Sequence, residues 1–139
     1  MIETKTVGVV LFKDEEVLLV RHLAGGSHIN DTYGLPAGRN EPDESDSSAA
    51  LRELKEETGL SASVADLVEL PIKYHAVLKR KNGEEAMVMT AFLCSKWKGD
   101  LGNSTETAPE WIEISQLKQL PLIPNVLNAI RQALKFKPL

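Results

Sequence analysis

The stretch from Gly38 to Leu60, GRNEPDESDSSAALRELKEETGL, constrains this chain more than any other, because it combines a helix with more acid than a helix needs. Ser45 or Asp46 can accept the first free backbone N–H groups. Ala49, Ala50, Leu51 and Leu54 are strong helix formers, and Gly59 suits a left-handed position just past the end. The spacing therefore predicts a helix over residues 46–58. At about 100° per residue, Glu53, Glu56 and Glu57 fall within roughly 100° of one another, beside the apolar side made by Ala50, Leu51 and Leu54. Each like-charged pair three or four residues apart costs an isolated helix roughly 0.2–0.5 kcal/mol, so the stripe calls for a compensating cation. Arg52, four residues before Glu56, can orient that side chain but leaves Glu53 and Glu57 without a local partner. A hard divalent ion with oxygen ligands fits the vacancy; Mg²⁺ takes a few carboxylates, retained waters and substrate phosphate oxygens.

Glu/Lys-rich helix faces are ordinarily solvated surface. What sets this one apart is spacing: Gly38, Glu44, Arg52, Glu53, Leu54, Glu56, Glu57, Gly59 and Leu60 fit G-x5-E-x7-R-E-U-x-E-E-x-G-U, with U a bulky aliphatic residue.

At 139 residues and 42% hydrophobic composition, residues 1–139 are expected to form one domain around one core. The single cysteine, Cys94, excludes an intrachain disulfide and lies in the apolar run Met87 to Cys94, where a buried thiol is expected. The opening residues lack a basic segment followed by an apolar one, and no run reaches membrane-spanning length, so the cytoplasm is the expected location and no membrane partner is expected. A net charge of −4 without a dominant Lys/Arg cluster argues against a nucleic-acid polymer as partner. A small nucleotide could still bind through a metal ion.

Val7 to Phe12 and Val17 to Val20 read as a hairpin about the polar turn Lys13 to Glu16. A Gly-containing loop, Leu23 to Thr32, then leads to Leu35-Pro36-Ala37-Gly38. Val64 to Leu70 and Tyr74 to Leu78 read as extended, with Pro71 at an edge or bulge. Asn82-Gly83 signals a tight turn into a strand from Met87 to Cys94. Trp111 to Ile114 suggests a short strand, and the spacing of Val126, Leu127, Ile130, Ala133 and Leu134 a helix over about 125–136. Strands interleaved with two helices point to an α/β domain on a mixed sheet.

The Gly38 to Leu60 pattern is similar to the signature of the Nudix hydrolases. The resemblance implies an α/β/α sandwich with the acidic helix on one side of the sheet and the C-terminal helix on the other. Leu19-Val20-Arg21, Leu35-Pro36, Trp97-Lys98-Gly99-Asp100, Glu110-Trp111 and Pro124-Asn125 resemble the MutT-type nucleoside triphosphate pyrophosphohydrolases. By that resemblance Glu53, Glu56 and Glu57 bind Mg²⁺, or Mn²⁺ in its place, with the Ala37 carbonyl and an acid before the last strand. Glu106 is the choice for that acid and Glu110 the runner-up. Water attacks a phosphorus of a nucleoside diphosphate derivative, with Glu53 and Glu56 ranked above Glu57 as general base. Glu44 serves as a supporting or metal-water ligand, and Arg52 holds a glutamate in position.

Three residues outside the signature are candidates for substrate contact. Asn125 suits a purine edge, though an Asn before a helix also serves as an N-cap. Arg21 is offered for a phosphate and Tyr33 for stacking on a base. His22, His28 and His75 receive no role, Met87 and Met89 read as one strand face, and Lys79-Arg80-Lys81 as a solvated tip. A (deoxy)nucleoside triphosphate, with an oxidised purine among the options, ranks ahead of ADP-ribose or another nucleotide sugar. Ala37 before Gly38 also occurs in ADP-ribose-type members, and Asp43 stands where Gly is common. A nucleotide-binding module without turnover is the alternative of another class. Sequence leaves monomer and homodimer both open.

Overall fold

In the computed structural model, which describes residues 2–137, the chain runs through β1 (Thr4–Val10), β2 (Phe12–Lys13), β3 (Glu16–His22), β4 (Tyr33–Gly34), β5 (Ala37–Arg39), α1 (Asp46–Thr58), β6 (Leu67–Arg80), β7 (Gly83–Cys94), β8 (Thr107–Glu113) and α2 (Val126–Leu134). Short 3₁₀ turns cover Val64–Asp66 and Ile114–Gln119. One mixed sheet has the order β5-β1-β7-β6, with β1 parallel to β7 and the other two pairings antiparallel. In a second, antiparallel sheet, β8 pairs with β3 along its whole length, so β2 and β4 share the opposite edge of β3.

Strand alternation distributes the core between two faces. Val7, Val9, Leu11, Leu18, Phe92 and Cys94 pack with Ala49, Ala50 and Leu54 of α1. Their sequence neighbours Val10, Val17, Leu19, Ala91 and Leu93 pack with Val126, Ala129, Ile130 and Ala133 of α2. The helices thus cover opposite faces, as an α/β/α sandwich requires. Cys94 is buried, its Sγ–H directed at the Lys96 carbonyl, and burial pushes the thiol up to about 11.

Several sequence expectations change. The expected first hairpin is divided: β1 leaves to pair with β5 and β7, and only Phe12–Lys13 turns back onto β3, about Asp14 at φ 55°. Hydrophobicity could not separate β1 from β2, because Leu11 between them is as apolar as either. The last strand starts at Thr107, not Trp111, and Ile114 already belongs to the following turn. The C-terminal helix ends at Leu134, leaving Lys135 and Phe136 in a turn. Pro71 falls inside the register shift between Glu69 and Lys73 on β6, an edge strand, and the tight turn expected at Asn82-Gly83 falls one residue earlier, on Lys81-Asn82, with Gly83 already paired to Arg80.

Capping sets the ends of α1. Ser45 is the N-cap, its Oγ accepting from the Ser48 N–H at 3.2 Å, while Asp46 instead accepts from the Asn40 amide. At the other end Gly59 adopts φ 88° and its N–H donates to the Lys55 carbonyl at 3.0 Å. A Cβ added at Gly59 would lie 2.7 Å from the Asp100 carbonyl oxygen. Gly59→Ala is therefore expected to lower stability by about 1–2 kcal/mol for the left-handed backbone, and further for the clash. Urea unfolding measures this; an unchanged midpoint would show that the turn does not need glycine.

Candidate functional site

The strand β5 lies under the C-terminal half of α1, and this packing gathers the acids. Glu57 turns its carboxyl inward, where Oε1 accepts the Ala37 N–H at 2.8 Å. Glu53 is buried and its carboxylate rests on Gly38; a Cβ at Gly38 would occupy the place of that carboxylate. Glycine there is a demand of the close approach and not of backbone dihedrals.

Arg52 binds far more of the cluster than its position in the helix suggested. Its Nε and Nη2 donate to the two oxygens of Glu44 at 2.8 and 2.9 Å, a bidentate pair. Nη1 donates to Glu53 at 2.7 Å and to Glu56 at 3.3 Å, and Nη2 also donates to the Arg39 carbonyl at 2.9 Å. Glu53 therefore has a local partner after all. The Arg52 hydrogen bonds, aided by the Glu41 N–H, hold the Glu44 carboxyl down at about 2. Burial raises Glu53 against the pull of Arg52. Glu57, beyond reach of the guanidinium, is pushed up to about 8 by burial, against the Ala37 N–H, with the charges of Glu53, Glu106 and Glu56 adding to the rise.

Among the described residues, no three His, Cys, Asp or Glu side chains stand ready as a metal-coordinating group. The donor chemistry nevertheless fits a hard divalent ion: carboxylate oxygens are collected on one side of α1, and one of them is left short of positive charge. Glu106 is exposed before β8 and its charge reaches Glu57, whereas Glu110 is held by Arg21 Nε at 3.1 Å. Of the two candidate acids, Glu106 is the one whose charge acts on Glu57.

A cleft opens beside Ala37 and Gly38. Its apolar wall is made by Leu35, Tyr74, Met87, Met89 and Ile123, and its polar rim by His22, His28, Arg39, Arg80 and Asn125. It is narrow, about 90 Å³, against the several hundred cubic ångströms typical of small-molecule sites, and two of its walls are flexible thioethers. Most of these residues were not selected from sequence. Met87 and Met89 do share one strand face, but that face is the cleft. Arg80 is no solvated tip: it is largely buried, ion-paired with Glu85 at 3.0 Å and donating to Ser27 Oγ at 2.7 Å. His22 and His28 lie with ring centroids 4.1 Å apart, and burial with the Arg80 charge lowers them to about 4 and about 3, so both are neutral at neutral pH.

Two sequence candidates lie off the cleft. Arg21 sits on the face of β3 opposite His22 and pairs with Asp31 and Glu110, both at 3.1 Å. Tyr33 is partly buried against the α2-side core, its backbone bonded to Pro121 and Ile123. Asn125 does line the cleft. It occupies the N-cap position of α2 with φ 72°, a conformation Asn tolerates, but its side chain does not cap; the amide donates to the His75 carbonyl at 2.8 Å. The alternation of β3 was the signal that would have exchanged Arg21 for His22.

The NUDIX domain family matches residues 3–133. A putative Nudix hydrolase of Caenorhabditis elegans is 32% identical, covering 76% of this chain and 26% of its own. A putative 8-oxo-dGTP diphosphatase 3 of Mycobacterium tuberculosis is 28% identical, covering 77% and 49%. The chain thus spans about a quarter and about half the length of these two curated relatives. Among solved structures, the NUDIX domain of Shewanella oneidensis NrtR complexed with ADP ribose superimposes with a TM-score of 0.76 at 23% identity, covering 98% of this chain and 89% of that one.

Two stability measurements follow from the geometry. The Glu57 carboxyl titrates near 4.5 when unfolded and near 8 when folded, so over that interval the folded state keeps a proton the unfolded state has lost, and stability falls as pH rises. His22 and His28, depressed from 6.5, oppose this only below pH 6.5, where protonation of the unfolded state lowers stability as pH falls. Metal-free protein should therefore lose on the order of 1–2 kcal/mol between about pH 6.5 and 8, and Glu57→Gln should flatten that slope in urea unfolding. Separately, the buried Tyr74 hydroxyl has no hydrogen-bond partner among the described residues. Tyr74→Phe should leave the melting temperature unchanged or raise it, because an unsatisfied buried hydroxyl is removed; a drop would reveal a partner for the hydroxyl.

Proposed function

The chain belongs to the Nudix family, and from that premise we propose that it is a divalent-metal-dependent hydrolase of pyrophosphate linkages in nucleoside diphosphate derivatives. The observation that carries this reading is the surplus of carboxylate beside the cleft: Glu53, Glu56 and Glu57 on one stripe of α1, with the charge of Glu106 acting on Glu57 and, among the described residues, Arg52 the one cation bonded to them.

Glu53, Glu56 and Glu57, with Glu106 and the Ala37 carbonyl, would hold Mg²⁺ or Mn²⁺. Bound there, the metal supplies charge to offset phosphate oxygens and to acidify a water. The residues of the chain do the rest. Arg52 fixes Glu53 and Glu56 in place, and the Glu44 pair fixes Arg52. Glu53 or Glu56 accepts the proton of the attacking water as its oxygen bonds to phosphorus and the bridging P–O bond breaks. The cleft beside Ala37 and Gly38 receives the nucleoside, with Met87 and Met89 as adaptable walls and neutral His22 and His28, Arg80 and Asn125 on its rim.

A (deoxy)nucleoside triphosphate, cleaved to monophosphate and pyrophosphate, is the preferred substrate class, in keeping with the sequence features outside the signature and with the relative named for 8-oxo-dGTP. ADP-ribose is the second reading, supported by the Pro36-Ala37-Gly38 sequence and by the ADP ribose bound in the similar NrtR domain. No helix among the described residues is long and apolar enough to cross a membrane.

A nucleotide panel with Mg²⁺ or Mn²⁺ tests the proposal. Turnover is expected to require the metal and to fall by about 10²-fold or more in Glu56→Gln or Glu57→Gln. Monophosphate plus pyrophosphate identifies a triphosphate substrate, and AMP plus ribose 5-phosphate identifies ADP-ribose. Metal-replete protein that turns over none of them would instead be a nucleotide-binding module.

A further inference from the structure

Among the described residues, three buried side-chain polar atoms lack a hydrogen-bond partner, and two of them, the Tyr74 hydroxyl and Arg80 Nε, belong to one face of β6. That face is a wall of the cleft. From Tyr74 to Arg80 the strand pairs with β7 without a shift, so Tyr74, Ala76, Leu78 and Arg80 alternate onto the same side, and all four line the cleft. Arg80 is the unusual one. Its side chain is only 11% exposed and Nη1 donates to Ser27 Oγ, but Nε, 3.0 Å from Glu85 Oε1, is not aligned to donate to it. Glu85 is engaged elsewhere, accepting from Arg39 at 2.7 Å and from Thr4 at 3.0 Å. A buried polar group without a partner is costly, and one that lines a cleft is accounted for when a ligand supplies the partner.

That partner must be an acceptor, because a guanidinium donates and cannot accept. The cleft lining holds no Asp or Glu, and two of its other polar groups are already committed: Thr6 Oγ donates to the Val88 carbonyl and the Asn125 amide to the His75 carbonyl. The His22 and His28 rings, neutral and each with one donor and one acceptor nitrogen, suit either kind of ligand edge. Strand order decides which part of a nucleotide meets Arg80. Ala37 and Gly38, beside the carboxylates, lie on β5, whereas Arg80 lies on β6 at the other edge of the same sheet, three strand spacings or roughly 14 Å away. A nucleotide with its pyrophosphate at β5 extends toward β6 with its base.

We propose that Arg80 reads the base and selects a 6-oxopurine over a 6-aminopurine. This deepens the nucleotide reading above and rests on it. At C6 the oxygen of hypoxanthine or guanine accepts, whereas the amino group of adenine donates and sets donor against donor. ADP-ribose carries adenine, so the proposal also orders the two substrate readings.

Inosine 5′-monophosphate and AMP differ at C6 and in the N1 proton that goes with it, and neither has an anhydride to cleave. By titration calorimetry with Mg²⁺ present, the inosine nucleotide should bind native protein about tenfold tighter than AMP, with purine riboside 5′-monophosphate, which has only hydrogen at C6, between them. In Arg80→Gln, whose amide can donate or accept, the inosine and adenosine nucleotides should bind alike. Equal binding by native protein, or a preference for AMP, overturns the proposal. So does an inosine preference that survives in Arg80→Gln, including one in which both nucleotides weaken by the same factor, which would place Arg80 on a phosphate. The order of the three affinities on native protein decides the matter if Arg80→Gln does not fold. The nucleotide panel separates the two levels: ATP turned over as fast as inosine triphosphate defeats the base selection alone, and inosine preference without turnover of any nucleotide defeats the hydrolase reading alone.

Discussion

The guanidinium of Arg52 sits where the helix, the strand β5 and the acidic cluster meet, and each depends on its being there. It binds Glu44 bidentately, reaches Glu53 and Glu56, and closes on the Arg39 carbonyl. One planar cation with several donors can satisfy carboxylates in different directions at once, which a lysine cannot. Its reach is also its limit. Glu57 lies on the other side of the stripe; among the described residues its carboxyl accepts from the Ala37 N–H and meets no cation, so burial and the charges of Glu53, Glu106 and Glu56 raise it. The cluster is thus held together by Arg52 and left without a bonded cation at Glu57.

Two close approaches make that arrangement possible. Gly38 lets the Glu53 carboxylate lie on the backbone of β5, and Gly59 ends α1 so that the chain can turn under Asp100. The core fixes both: Ala49, Ala50 and Leu54 seat the helix on one sheet face while α2 closes the other.

Much of this was legible in the sequence. Local signals with a fixed spacing held for the helix over 46–58, the irregularity at Pro71 and the burial of Cys94, and located the second hairpin to within one residue, its turn falling on Lys81-Asn82; the covering of the sheet on both sides is what the Nudix resemblance implied. What failed were readings that depend on partners distant in sequence. Arg52 could be paired with Glu56 by helical spacing, but its bonds to Glu44 and to Arg39 require the loop before α1 to fold back. Arg21 and His22 are adjacent, and only the pairing of β3 decides which of them faces the cleft. Arg80 looks like a hairpin tip until the loop from Leu23 to Thr32 packs on it, with Ser27, Ala24 and Gly26 bonded to Arg80 and Lys81. The division of the first apolar run between two sheets was invisible for the same reason.

On the reading above, the carboxylate stripe is a cation site whose least compensated member is Glu57. Calorimetric titration with Mg²⁺ or Mn²⁺ near neutral pH, in two buffers of different ionisation enthalpy, tests it most directly. Binding should release about one proton per ion, because the Glu57 carboxyl, raised to about 8, must ionise to join the site, and the release should disappear in Glu57→Gln. Absence of binding, or binding with no proton release from the native protein, would contradict it.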